Sequence, residues 1–146
     1  MSDLRELLKR VENAENAWSL GGFDADLARA LGAEVTTTHG RLHTAYRNIP
    51  WEDYPSTNWQ SLPSWSRSLD DVVRLVGCLR PRVYWNLGVG TLRDGRTTYT
   101  ADFSNGGEYA EREAATPALA LIAALLKSLI EDELIAEARR ENDHAV

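Results

Sequence analysis

The chain has 146 residues, a formal net charge of −6, 43% hydrophobic residues and a single cysteine, Cys78. That length is most economically one domain spanning residues 1–146, with enough chain to bury a core without disulfides or metals. One cysteine excludes an intrachain disulfide framework, and the acidic balance excludes general nucleic-acid binding, which needs a basic surface to neutralise phosphate.

Asp3 with Glu6 makes a start like a capping box, and Leu4, Leu7, Leu8, Val11 and Ala14 fall on one stripe, which predicts a first helix from Asp3 to about Ala17. Residues 1–15 alternate charged and apolar positions, unlike the continuous apolar block of a leader. After Gly21-Gly22, Asp24 is expected to cap a short helix carrying Leu27, Ala28 and Leu31, with Gly32 placed to end it.

Residues 33–64 change character. Thr36, Thr37 and Thr38, followed by Leu42, Thr44 and Tyr46, alternate as an edge strand does. Pro50, Pro55 and Pro63 then punctuate a stretch holding Trp51, Tyr54 and Trp59, so 33–64 reads as an aromatic, proline-containing insertion or long loop. It is too aromatic for a flexible linker.

Ser68 and Asp71 fit the S-x-x-D start of a third helix, which turns Leu69, Val72, Val73 and Val76 inward and stops near Gly77 and Pro81. Val83, Trp85, Leu87 and Val89 alternate on one strand, Tyr99, Ala101 and Phe103 on the next, with Asp94-Gly95 suited to a type I′ turn. A two-residue loop there sets Val89 opposite Thr100, Gly90 opposite Tyr99 and Gly88 opposite Ala101. Both faces of the hairpin are then apolar and require helices on both sides. A longer loop shifts the register by one, joins the stripes on one face and gives a two-layer fold.

Residues 104–107 turn the chain, and 109–113 form a short third strand. Thr116 then caps a long helix with Pro117 as its first residue. Leu119, Ile122, Leu126, Leu129 or Ile130 trace a stripe for the sheet, while Leu121, Leu125, Leu134 and Ile135 widen the apolar sector toward helix two or another subunit, a basis for a homo-oligomer. The polar tail, 139–146, is expected to fray. The apolar run at 114–126 stops at Lys127, short of the roughly 18 residues a membrane span needs, so no membrane association and a cytoplasmic location are expected.

The run Ala114-Ala115-Thr116-Pro117-Ala118-Leu119-Ala120-Leu121-Ile122-Ala123-Ala124-Leu125-Leu126, placed after a short sheet, resembles the phage ABA sandwich domain family of phages and prophages. Residues 3–12 look like the opening helix of such proteins and residues 65–76 like their central one, three blocks in order over roughly half the chain. The resemblance implies an α+β, three-layer α/β/α (ABA) sandwich, with a small, mainly antiparallel sheet covered by helices on both faces. It implies a phage or prophage origin and supplies no catalytic motif.

His39 and His43 stand four apart, but Gly40 and the preceding threonines argue against a helix and no third ligand is near, so no metal is expected. Gly88-Val89-Gly90 follows a strand yet runs into another strand, where dinucleotide binding requires a helix, so no cofactor is expected. Cys78 reads as a small buried thiol, no G-x-S-x-G elbow is present, and Asp70-Asp71 point apart on a helix. The chain therefore reads as a non-catalytic protein.

Arg47, Trp51, Tyr54, Trp59, Trp65 and Arg67 are the candidates for binding a ligand or partner, since rings with guanidinium groups stack a base or fill a protein pocket. The alternative is that the rings anchor the long loop to the core. The expected function is that of a phage accessory protein that binds a host component, inhibiting anti-phage defence through a host defence protein or by sequestering a small nucleotide. The alternatives are an oligomerising phage assembly component and a small hydrolase with a scattered site.

Overall fold

The structure is a computed structural model that describes residues 2–16, 20–38, 41–45, 60–61, 63–80, 82–105 and 108–144. Along the chain run α1 (Ser2–Asn13), α2 (Phe23–Ala30), β1 (Glu34–Thr38), β2 (Arg41–Ala45), β3 (Gln60–Ser61), α3 (Leu69–Leu79), β4 (Tyr84–Thr91), β5 (Thr97–Asn105), β6 (Glu108–Ala114) and α4 (Pro117–His144). The fold is α+β, with antiparallel sheets ordered β1-β2-β3 and β4-β5-β6 and helices packed on them.

The chain is organised around α4. Thr116 Oγ1 accepts the Leu119 N–H at 3.2 Å, and Pro117 opens the helix where its missing N–H is not needed. Every residue from Ala118 to Leu126 is buried. A helix that is apolar all round must be surrounded. This stretch is surrounded by β5 and β6 on one side and by α1 and α3 on others. The apolar surface left over from the sheet-facing stripe is thus covered by α1 and α3, whereas α2 packs on α1 and β1. Beyond Ile130 the helix is largely exposed, and it continues to His144 through the segment expected to fray. Among the described residues, no helix is long and apolar enough to cross a membrane.

Local chemistry sets the other helix ends. α1 buries Leu4, Leu7 and Val11 and stops at Asn13, about a turn before the expected end near Ala17. The N-cap of α2 is Gly22, not Asp24, which sits inside the first turn and is engaged elsewhere. The expected end at Gly32 holds: with Gly32 at φ +92°, its N–H reaches Arg29 O (3.0 Å) and the Ala33 N–H reaches Ala28 O (2.9 Å), a Schellman pair. Arg10 fastens α1 to α2 by donating to Asp26 (2.8 Å) and to the Gly21 carbonyl (3.2 Å), with its guanidinium 5.4 Å from the Phe23 ring centre. In α3, Ser68 Oγ accepts the Asp71 N–H (3.3 Å), while the Asp71 carboxylate accepts the Ser64 N–H (2.8 Å) instead of returning to its cap. Arg80 closes α3 onto α4 through Ser128 and Asp132.

The register of the β4–β5 hairpin is the shifted one. Trp85 lies opposite Phe103, Leu87 opposite Ala101 and Val89 opposite Tyr99, while Gly90 lies opposite Thr98 and not Tyr99. The physical reason is the loop. The Gly95 N–H bonds Leu92 O (2.9 Å), the Leu92 N–H bonds Arg96 O (2.8 Å) and Gly95 sits at φ +86°, so Arg93, Asp94 and Gly95 form a type I turn closed by a glycine bulge. The added residue moves both apolar stripes onto one face. Ala101 and Phe103 are buried there, with Trp85, Leu87 and Tyr99 packed beside them. On the other face of β4, Tyr84, Asn86 and Gly88 are exposed, so the opposed apolar stripes expected from a two-residue loop are absent from this hairpin. Helices meet the sheet through α4 on β5 and β6 and α1 on β6.

Within 33–64, the structure holds β1, β2 and β3. The alternation expected of one edge strand is a pair, with Val35 opposite Thr44 and Thr37 opposite Leu42.

Candidate functional site

Of the aromatic segment, Arg47, Trp51, Tyr54 and Trp59 lie outside the described residues. Trp65 is described and is 0% exposed, among the largest side chains of the core. Arg67, two residues on, is exposed. The turn carrying Trp65 is held by two carboxylates. Asp24 accepts the Ser66 N–H (2.8 Å) and the Ser66 hydroxyl (3.1 Å), and Asp71 accepts the Ser64 N–H. Burial pushes the Asp24 carboxyl above its ordinary value, partly offset by the two Ser66 donors and the nearby Arg67 charge, while the charge of Asp71 adds to the rise. These bonds satisfy a loop backbone whose tryptophan is inside the protein. Trp65 therefore acts as an anchor, and it presents no ring face to a ligand.

An open cleft of about 1240 Å³ lies where three distant segments meet. Glu12, Asn13 and Glu15 come from the end of α1, Arg96, Thr97 and Thr98 from the hairpin tip, and Ala114-Ala115 from the junction of β6 with α4. The tip is held in shape by Asp94, which accepts the Arg96 N–H (3.1 Å) and Arg96 Nε (2.6 Å). These two donors hold the exposed Asp94 carboxyl below its ordinary value. The rim carries the carboxylates of Glu12 and Glu15 and the guanidinium of Arg96, which is paired with Asp94. Glu12 sits in the last turn of α1, where a carboxylate opposes the helix dipole, and Glu15 lies two residues beyond the helix end. Sequence reasoning passed over this cleft because its walls are far apart along the chain. The local signal available was Glu12, an acidic residue in the last turn of a helix.

The remaining candidates separate. His43 is on strand β2 opposite Thr36 and Ser61, and His39 lies outside the described residues. Gly88 and Gly90 are strand residues of β4 with Asn86, Val89 and Thr98 around them in the ladder, and Gly90 has room, with Thr98 Cγ2 3.8 Å from where a Cβ would lie. Cys78 is half-buried near the end of α3.

No protein-family model matches the chain, and no curated relative matches it. Among solved structures, it is similar to a phage protein from Bacillus cereus ATCC 14579 at 16% identity, covering 79% of this chain and 93% of that one, with a TM-score of 0.42. A TM-score this low leaves the overlay without weight for fold or function.

Proposed function

We propose that this chain is a non-catalytic phage or prophage accessory protein that binds a host protein, with the α1–hairpin cleft as its contact site. The phage part rests on the resemblance of three sequence blocks to phage ABA sandwich domains. The binding part rests on the cleft.

Its size and lining favour one class of occupant. Small-molecule sites enclose about 300–1,000 Å³ and are mostly apolar. This cleft is larger and open, and its polar wall of Glu12, Asn13, Glu15, Arg96, Thr97 and Thr98 adjoins Leu92 and three alanines. Such a surface suits a polar, basic segment of a protein better than a nucleotide, whose phosphates the two glutamates would repel. The chain's net charge of −6 works in the same direction by steering a basic partner toward it.

The test is affinity capture from a bacterial host with the whole chain as bait, in parallel with a variant carrying Glu12→Arg and Glu15→Arg. Both residues are exposed, and unchanged thermal unfolding will confirm that the variant folds. The expected result is a captured basic protein that the variant loses, with binding weakened by added salt. Capture that survives both charge reversals overturns the cleft assignment. Calorimetric titration with linear and cyclic nucleotides should give no binding, and a nucleotide that binds would replace this reading with sequestration.

A further inference from the structure

We infer that β4 is a self-pairing edge, through which two copies of this chain join their β4-β5-β6 sheets into one continuous antiparallel sheet. The argument begins with the phase of the ladder. Leu92 and Arg96 form a hydrogen-bonded pair at the hairpin tip, and antiparallel pairs alternate between bonded and non-bonded. Gly90, Gly88, Asn86 and Tyr84 therefore exchange bonds with β5, and the N–H and C=O groups of Trp85, Leu87, Val89 and Thr91 point away from it. Among the described residues no strand pairs with that side, because β4 is the end of its sheet.

Edges are ordinarily protected by charge, proline, a bulge or shortness. The other edge of this sheet, β6, has the sequence EYAEREA, rich in charge. By contrast β4, YWNLGVGT, spans eight residues without a charged side chain or a proline. On a chain of net charge −6, β4 carries no charge of its own to oppose a second copy.

The exposed apolar residues then select the partner. Around a two-fold axis at Gly88, Leu87 of one copy faces Val89 of the other, Trp85 faces Thr91, and Tyr84 faces Leu92. The large hydrophobic residues left in water on this hairpin are Tyr84 (79% exposed), Val89 (70%) and Leu92 (41%). In this register each of the three gains an apolar neighbour, and the outward backbone groups of Trp85, Leu87, Val89 and Thr91 all find partners. Tyr84 and Leu92 share one face of the sheet and Leu87 and Val89 the other, so a single register covers both. That self-complementarity is what an isologous contact requires, and it points to a second copy of this chain in preference to an unrelated strand.

Sedimentation equilibrium on the whole chain tests this, comparing wild type with Val89→Lys and Tyr84→Lys. Both side chains are already in water, and unchanged thermal unfolding will confirm that the variants fold. A dimer is expected for wild type, with its dissociation constant raised at least about tenfold in each variant. Register is read by cross-linking in a Cys78→Ser background. Gly88→Cys should oxidise to a covalent dimer, since non-bonded antiparallel pairs place Cα atoms about 4.5 Å apart, within disulfide range. An added Cβ at Gly88 meets nothing within 4 Å. Asn86→Cys should cross-link only when mixed with Gly90→Cys. A wild type that stays monomeric at about 1 mM overturns the inference, as does a dimer indifferent to both lysines. A dimer in which Gly88→Cys fails to cross-link overturns the two-fold register.

Discussion

The two halves of α4 are one continuous helix in opposite surroundings. From Ala118 to Leu126 every residue is buried, whereas Leu134 and Ile135 in the second half are 44% and 43% exposed although their side chains are as apolar. The difference lies in what else the chain brings up to the helix. β5, β6, α1 and α3 enclose the first half, and the Arg80 bonds to Ser128 and Asp132 mark where α3 leaves it. An apolar residue on a helix thus reports a capacity for burial, and the neighbouring elements decide whether it is used.

If enclosure sets the energetic weight of a residue, the largest effect should come from a side chain that is enclosed without being on a helix at all. Trp65→Ala should cost about 3–5 kcal/mol in urea unfolding. Trp65→Phe should cost clearly less, because the buried indole Nε1 has no hydrogen-bond partner among the described residues to lose. A cost for Trp65→Ala below about 1 kcal/mol would show that the turn is not anchored through this ring.

The two halves of α4 give the next comparison. Ile122→Ala should cost roughly 2–5 kcal/mol, since it removes a side chain with 0% exposure from a packed layer. Leu134→Ala should stay within about 1 kcal/mol. Equal costs at the two positions would mean that the second half is covered in solution, and a concentration dependence of that cost would identify a subunit contact as the cover.

Much of this layout was legible in the chain. Thr116 and Pro117, Ser68 with Asp71, and Gly32 each act within a few residues, and each element end they signal is present. The hairpin was legible as a hairpin, and its register was not. Asp94-Gly95 suits a two-residue I′ loop and equally a longer loop with glycine in the bulge, and the chain takes the longer one, which sets Ala101 and Phe103 in the core. Trp65 was read both as a binding ring and as an anchor because its type and neighbours fit either. What separates the readings is Asp24, 42 positions before Ser66, which supplies the acceptors that allow the turn to be buried. The cleft was hidden for the same reason, its walls meeting only once the chain is folded.

Asp24 itself carries the smallest of the expected effects and the most specific one. Asp24→Ala leaves the buried Ser66 N–H and hydroxyl without their acceptors and should cost about 1–3 kcal/mol, whereas Asp24→Asn keeps an acceptor and should stay within about 1 kcal/mol of wild type at neutral pH. The pH dependence follows from burial, which raises the folded carboxyl above its ordinary value of 3.8. The folded chain then binds the Asp24 proton more tightly than the unfolded chain, so the residue favours folding most when protonated, below that ordinary value. Its contribution falls as pH rises from there toward the folded pKa and is level above it. The difference in unfolding free energy between wild type and Asp24→Asn cancels the other carboxylates and should therefore decrease across that acidic window as pH increases. A difference that instead grows with pH would mean that the Ser66 hydrogen bonds outweigh desolvation, and that the ionised carboxylate stabilises the turn holding Trp65.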